Sequence, residues 1–218
     1  MCFLNRMGRS IPFEQHEVRE YERRRYKGLD QRFVDWKERR LLRKILQDIK
    51  GPHLRALDIP CGYGRFSRLL HERGFSIINS DLSFHMVNRV KEKSNFSDGF
   101  LGVVADAKKG LPFRPNTFEL LLSMRFFHHV HKKKDREYIL REFFRVSSAG
   151  VILSYYRTNF IHLLQRKLRR KMKKSRTRIN MIPHREFKRE IESEGFHLVK
   201  IYSIFRGLHS QHIAFLKK

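Results

Sequence analysis

From Leu54 to the C-terminus the apolar positions fall into short buried runs separated by amphipathic stretches. The run Leu54, Ala56, Leu57, Ile59 surrounds Asp58, breaks into Pro60, Gly62 and Gly64, and gives way to the helical spacing of Phe66, Leu69 and Leu70. That order predicts strand, tight turn, helix. Gly74 stops the helix, and "FSIINSDLS" predicts a second strand ending at Asp81. The helix "FHMVNRVKEK" comes next, then a third strand, "GFLGVVADA", ending at Asp106. "FELLLSMRF" supplies a fourth strand, "KKKDREYILREFFRV" an amphipathic helix, and "GVILSYY" a fifth strand. Strand and helix alternate, so the sheet is expected to be parallel. A last helix runs from near His184 to Gly195. "FHLVKIYSIFRG" and "HSQHIAFLKK" are then joined by too short a link for a parallel crossover, so they form an antiparallel hairpin.

Two segments depart from this rhythm. Residues 13–50 are densely charged, with apolar positions at Tyr21, Phe33, Trp36, Leu41, Leu42, Ile45, Leu46 and Ile49. The part from Leu41 has helical spacing that should pack on the sheet and end at Gly51-Pro52; the part before it reads as an N-terminal helix able to cover a ligand mouth. Residues 1–50 thus form a helical extension, and 51–218 the main domain. Inside that domain lies a basic helical insert at about 158–182. Between Gln165 and Arg178 it holds nine Lys/Arg and no acid, while Phe160, Leu164, Leu168 and Met172 recur every four residues.

Charge changes the picture more than composition does. With 48 Lys+Arg against 22 Asp+Glu the 218-residue chain carries +26, which calls for an anionic partner or surface: nucleic acid or acidic lipid. The basic insert points the same way. No apolar run reaches the length of a spanning helix or a signal peptide, so the expected location is the cytoplasm, or the periphery of the inner membrane. Cys2 and Cys61 give no disulfide framework and no metal-ligand spacing, and no metal is expected.

The turn after the first strand narrows the ligand. A dinucleotide would want backbone amides for its pyrophosphate, yet Pro60 has no N–H and Asp58 would repel an anion. A ligand with a cationic amino group and a sulfonium suits it better. "LDIPCGYGRF" resembles motif I of the class I S-adenosylmethionine (SAM) methyltransferases, with Pro60 in place of the first glycine. Five parallel strands with a terminal hairpin resemble the seven-stranded, Rossmann-like sheet of that family, in which the last strand inserts antiparallel. "MRFFHHV" followed by "LREFFRV" further resembles the type that acts in ubiquinone and menaquinone biosynthesis.

The resemblance implies SAM as cofactor. Asp58, Asp81 and Asp106 stand at or near three successive strand ends, at intervals of 23 and 25 residues, and should line one crevice. By resemblance Asp58, with Pro60, Gly62 and Gly64, lies near the methionine end. Asp81, followed by Leu82, takes both ribose hydroxyls; Asp106, followed by Ala107, takes the adenine amino group, and Met86 lies beside the adenine. Arg125 completes the set, pairing with an acidic substrate or merely lying in solvent. His128 and His129 fall near the sulfonium, where an imidazole suits a base of near-neutral pKa. The bland alternative has one histidine packing under the sheet and the other capping the next helix.

Missing motifs bear on the acceptor. Ser123-Met124-Arg125-Phe126 follows the fourth strand where base-amine methylation uses Asn/Asp-Pro-Pro-aromatic, and there is no nearby cysteine for the covalent route. The expected activity is therefore O- or C-methylation of a small-molecule or lipid-linked acceptor. An RNA methyltransferase, or a basic nucleic-acid or lipid-binding module without turnover, is the alternative that the charge favours.

Overall fold

A computed structural model describes residues 13–94, 99–158, 180–205 and 210–218, together with the backbone of two short strands, β1 (Phe3–Leu4) and β2 (Ser10–Ile11), which pair antiparallel. The helices α1 (Gln15–Arg25) and α2 (Leu29–Leu46) follow. A seven-stranded sheet is then built from β3 (Arg55–Asp58), β4 (Ser76–Asp81), β5 (Leu101–Val104), β6 (Phe118–Ser123), β7 (Ser147–Tyr156), β8 (His197–Ser203) and β9 (Gln211–Lys217). Its order is β5-β4-β3-β6-β7-β9-β8. The first five strands of that order are parallel, and β9 inserts antiparallel between β7 and β8. This is the α/β, Rossmann-like sheet that the apolar runs predict. The connecting helices are α3 (Ser67–His71), α4 (Phe84–Lys93), α5 (Lys133–Val146) and α6 (His184–Ser193).

The inner strands read as unbroken apolar runs because both of their faces are covered. Leu57, Leu121, Val151 and Leu153 face α5 and α6 through Ile139, Leu140, Phe143, Phe187 and Ile191. Ala56, Leu120, Leu122 and Ile152 point to the other side, against Leu42, Ile45 and Leu46 of α2 and Leu69 and Leu70 of α3. Alternate residues of one strand thus serve two cores.

Strands β3, β4 and β5 succeed one another in one direction from the centre, and β6 and β7 in the other. The order reverses between β3 and β6, whose carboxyl ends sit side by side: Asp58 pairs in register with Leu122, and the Ile59 amide donates to the Leu122 carbonyl at 2.9 Å. Open α/β sheets bind ligands at such a reversal.

Some boundaries differ from the sequence reading. The N-terminal segment breaks at Gly28 into two helices, and α2 ends at Leu46, short of Gly51. Strand β5 stops at Val104, two residues before Asp106. The basic insert between 159 and 179, with Phe160, Leu164, Leu168 and Met172, lies outside the described residues. Among the described residues no helix is long and apolar enough to cross a membrane.

Candidate active site

The turn after β3 is held by backbone pairing and by Asp81. The Cys61 amide donates to the Ser80 carbonyl at 2.8 Å, and the Gly62 amide to Asp81 Oδ2 at 3.0 Å. The other carboxylate oxygen of Asp81 accepts from the Ser83 amide at 3.0 Å, so this fully buried side chain ties the first turn to the start of α4. Gly62 and Gly64 both have positive φ, for different reasons. A Cβ on Gly64 would stand 2.9 Å from Val90 of α4, so close packing demands the glycine. A Cβ on Gly62 would meet none of the described residues within 4 Å, so this backbone borders open space among them.

Asp58 is 1% exposed, and neither carboxylate oxygen has a hydrogen-bond partner among the described residues. Burial, then the neighbouring Asp81, push its pKa up to about 8. A buried carboxyl without donors is costly. A cationic donor arriving beside Gly62 would repay that cost, so the residues present fit a ligand with an amino group at the methionine end of SAM.

The remaining candidates scatter in role. Pro60 lines a small cavity of about 40 Å³ with Tyr21, Cys61, Tyr63, Met124 and Arg125, among others. Leu82 is half-buried beside Asp81. Met86 is fully buried against Phe13, Val18 and Tyr63, and Ala107 packs in the main core with Leu57 and Ile59. Asp106 is partly exposed, and its Oδ1 accepts the Lys108 amide at 3.0 Å, an Asx turn of its own.

Arg125 is neither in solvent nor unpaired. It adopts φ 57°, its amide donates to Ser154 Oγ at 2.6 Å, and its guanidinium, buried at 5% exposure, donates through Nε to Glu38 Oε1 at 2.9 Å. Glu38 also receives Arg65 at 2.5 Å and Gln211 Nε2 at 2.5 Å. Arg65 is shared with Asp35 at 2.5 Å. One fully buried carboxylate thereby joins α2, the glycine turn, the end of β6 and β9. The two guanidiniums hold its pKa down at about 2 against the effect of burial. The pattern contains a sign of this: Glu38 falls on the apolar stripe Val34, Leu42, Ile45, where a charge must find a partner.

His128 and His129 form a 3-10 turn after β6 with Phe127. Their rings are 3.9 Å apart, and Tyr156 lies 4.8 Å from His128. Neither histidine caps a helix. Nδ1 of His128 and both ring nitrogens of His129 are buried without partners among the described residues. Burial lowers both pKa values, with surrounding cations adding to it: His128 well below its ordinary value, His129 to about 4. A base poised at neutrality is therefore not what this environment makes by itself; both imidazoles are neutral at pH 7.

Residues 57–154 match the family model described as a methyltransferase domain. No curated protein matches the chain in sequence. Among solved structures, magnesium protoporphyrin IX methyltransferase from Synechocystis with bound SAH superposes with a TM-score of 0.73 at 14% identity, covering 94% of this chain and 100% of that one. The PH0226 protein of Pyrococcus horikoshii gives 0.71 at 20% identity over 91% and 98%, and a SAM-dependent methyltransferase of Methanosarcina mazei 0.67 at 18% over 80% and 96%. A methyltransferase domain thus matches across the central strands, residues 57–154, and the fold around it is that of these solved structures.

Proposed function

We propose that the chain transfers the methyl group of SAM to an oxygen or carbon of a small-molecule or lipid-linked acceptor. The observation that carries the placement of the cofactor is the pairing of an unsatisfied, buried Asp58 carboxyl with the open side of Gly62 at the β3/β6 reversal. Bound SAM supplies an electrophilic methyl carbon on a sulfonium. Asp58 would face the cofactor's amino group, Asp81 the ribose hydroxyls, and Asp106 the adenine edge, where its partial exposure leaves one oxygen available. The neutral imidazoles of His128 and His129 would stand over the β6 end, where they can accept a proton from a hydroxyl acceptor, and Tyr156 would help exclude water. The quinone-biosynthesis type remains the class that "MRFFHHV" suggests. Mass spectrometry of extracts incubated with methyl-labelled SAM tests this reading: a single labelled small molecule or lipid is expected, and label confined to RNA would replace it.

The charge of +26 supports a second element, attraction of the basic segment 165–178 to an anionic surface. Leu164→Ser with Leu168→Ser should reduce sedimentation with phosphatidylglycerol liposomes while SAM binding persists. A wild type that ignores such liposomes and binds structured RNA at physiological salt would favour the RNA alternative.

A further inference from the structure

We propose that the methyl acceptor is an anion whose carboxylate or phosphate group is held by Arg25 and Arg125, beside Tyr26 and His128. This rests on the methyl-transfer reading and adds the chemical class of the acceptor. Arg125 donates through Nε to Glu38, while its Nη2 is buried with no hydrogen-bond partner among the described residues, on a side chain 6% exposed. Arg25, the last residue of α1, has its guanidinium 5.6 Å from the Tyr21 ring centre, makes no ion pair among the described residues, and also buries an unpartnered Nε. The Tyr26 hydroxyl and His128 Nδ1 are two more buried polar atoms without partners among the described residues. Arg125 lies 5.7 Å from the Tyr26 ring, and Arg25 and Arg125 both act electrostatically on His128 and Tyr156, so these groups share one neighbourhood at the β6 end.

The charges there do not cancel. Arg65 and Arg125 share the carboxylates of Glu38 and Asp35, Asp35 is shared again with Arg39, and Arg25 has no carboxylate partner among the described residues. At least one positive charge is left over in a partly desolvated place. Guanidinium forks match carboxylate and phosphate oxygens, and charge-assisted bonds are the strong ones. A neutral acceptor could offer an oxygen to these N–H groups but would leave the surplus charge uncompensated and form the weaker bonds. A cationic one would meet uncompensated repulsion.

The test is calorimetry on the full chain saturated with SAH, so that no probe can enter the cofactor's place, using phenyl phosphate, benzoate and neutral benzamide. The expected result is at least tenfold tighter binding of one or both anions than of benzamide. Arg25→Gln should lower that anion affinity at least tenfold while SAH affinity stays within twofold, and Tyr26→Phe should weaken it less. Preference for phenyl phosphate identifies a phosphate-bearing acceptor, and preference for benzoate a carboxylate. Equal binding of anions and amide, or unchanged anion binding in Arg25→Gln, overturns the proposal. So does a loss of SAH affinity in Arg25→Gln, since the guanidinium would then serve the cofactor's own carboxylate. Absence of SAH binding to the wild type is a separate failure, that of the methyl-transfer reading itself.

Discussion

If Asp58 must be ionised to face the amino group of the cofactor, binding is coupled to loss of its proton. The carboxyl titrates near 8 because it is buried beside Asp81 with no donor of its own. At pH 7 it is largely protonated, and a cationic ligand binds the minority ionised form. Affinity for SAH should therefore fall about tenfold per pH unit below 8, reaching roughly 100-fold at pH 6, about 2.7 kcal/mol at 1.36 kcal/mol per unit. Calorimetry in buffers of different ionisation enthalpy should show close to one proton released per SAH bound at pH 7. Asp58→Asn should flatten the pH profile and lose the tight binding at high pH. The same shift acts on stability with a definite sign. A carboxyl whose folded pKa lies above its unfolded value keeps a proton in the native state that the unfolded chain has lost. Native stability contributed by this group thus falls from about pH 4 to about pH 8, and Asp58→Asn should remove that slope from Tm measured across the window. A pH-independent SAH affinity between 6 and 8.5, with no proton released, would refute this reasoning.

Glu38→Gln removes the charge that compensates Arg65 and Arg125, and should cost about 3–5 kcal/mol in urea unfolding at pH 7, the range for breaking a buried pair. Because its folded pKa of about 2 lies below the ordinary carboxylate value, Glu38 contributes stability above about pH 4.5 and loses it as pH falls toward 2. Gly64→Ala forces a Cβ into a left-handed turn 2.9 Å from Val90 and should destabilise by about 1–3 kcal/mol, read as a lower Tm. Asp81→Ala should weaken SAM binding by about 1.5–3 kcal/mol, the range for hydrogen bonds to a charged group, in a protein whose circular dichroism is unchanged; undiminished affinity would restrict Asp81 to its bonds with Gly62 and Ser83. Alanine at His128 or His129 should lower turnover with little change in SAM affinity if either accepts a proton; equal loss of both would mean that the ring only packs.

The sheet was legible because its inner strands are covered on both faces, which forces continuous apolar runs such as "FELLLS", and because short turn signals punctuate them. The hairpin followed from the shortness of its link. What local pattern does not encode is the partner of a buried charge. Arg125 and Glu38 are 87 positions apart, so nothing in the neighbourhood of either along the chain marks the pair. Ala107 and Met86 illustrate a related limit: both are apolar positions next to the crevice, and only packing decides that their side chains turn into the core. The apolar run in "GVVADA" carries the strand pattern on to Asp106, whereas the chain leaves the sheet at Val104 and Asp106 closes its own turn. The break between α1 and α2 carried its signal in Gly28, whose extended backbone, φ −73° and ψ 144°, starts the second helix.

The central claim is methyl transfer rather than binding alone, and single-turnover reaction of methyl-labelled SAM with a cell extract tests it most directly. The purified chain should convert SAM to SAH in step with the appearance of label in an acceptor of low molecular mass that carries a carboxylate or phosphate. SAM bound and recovered intact, with no acceptor labelled by a chain that raises SAH no faster than buffer, would contradict it.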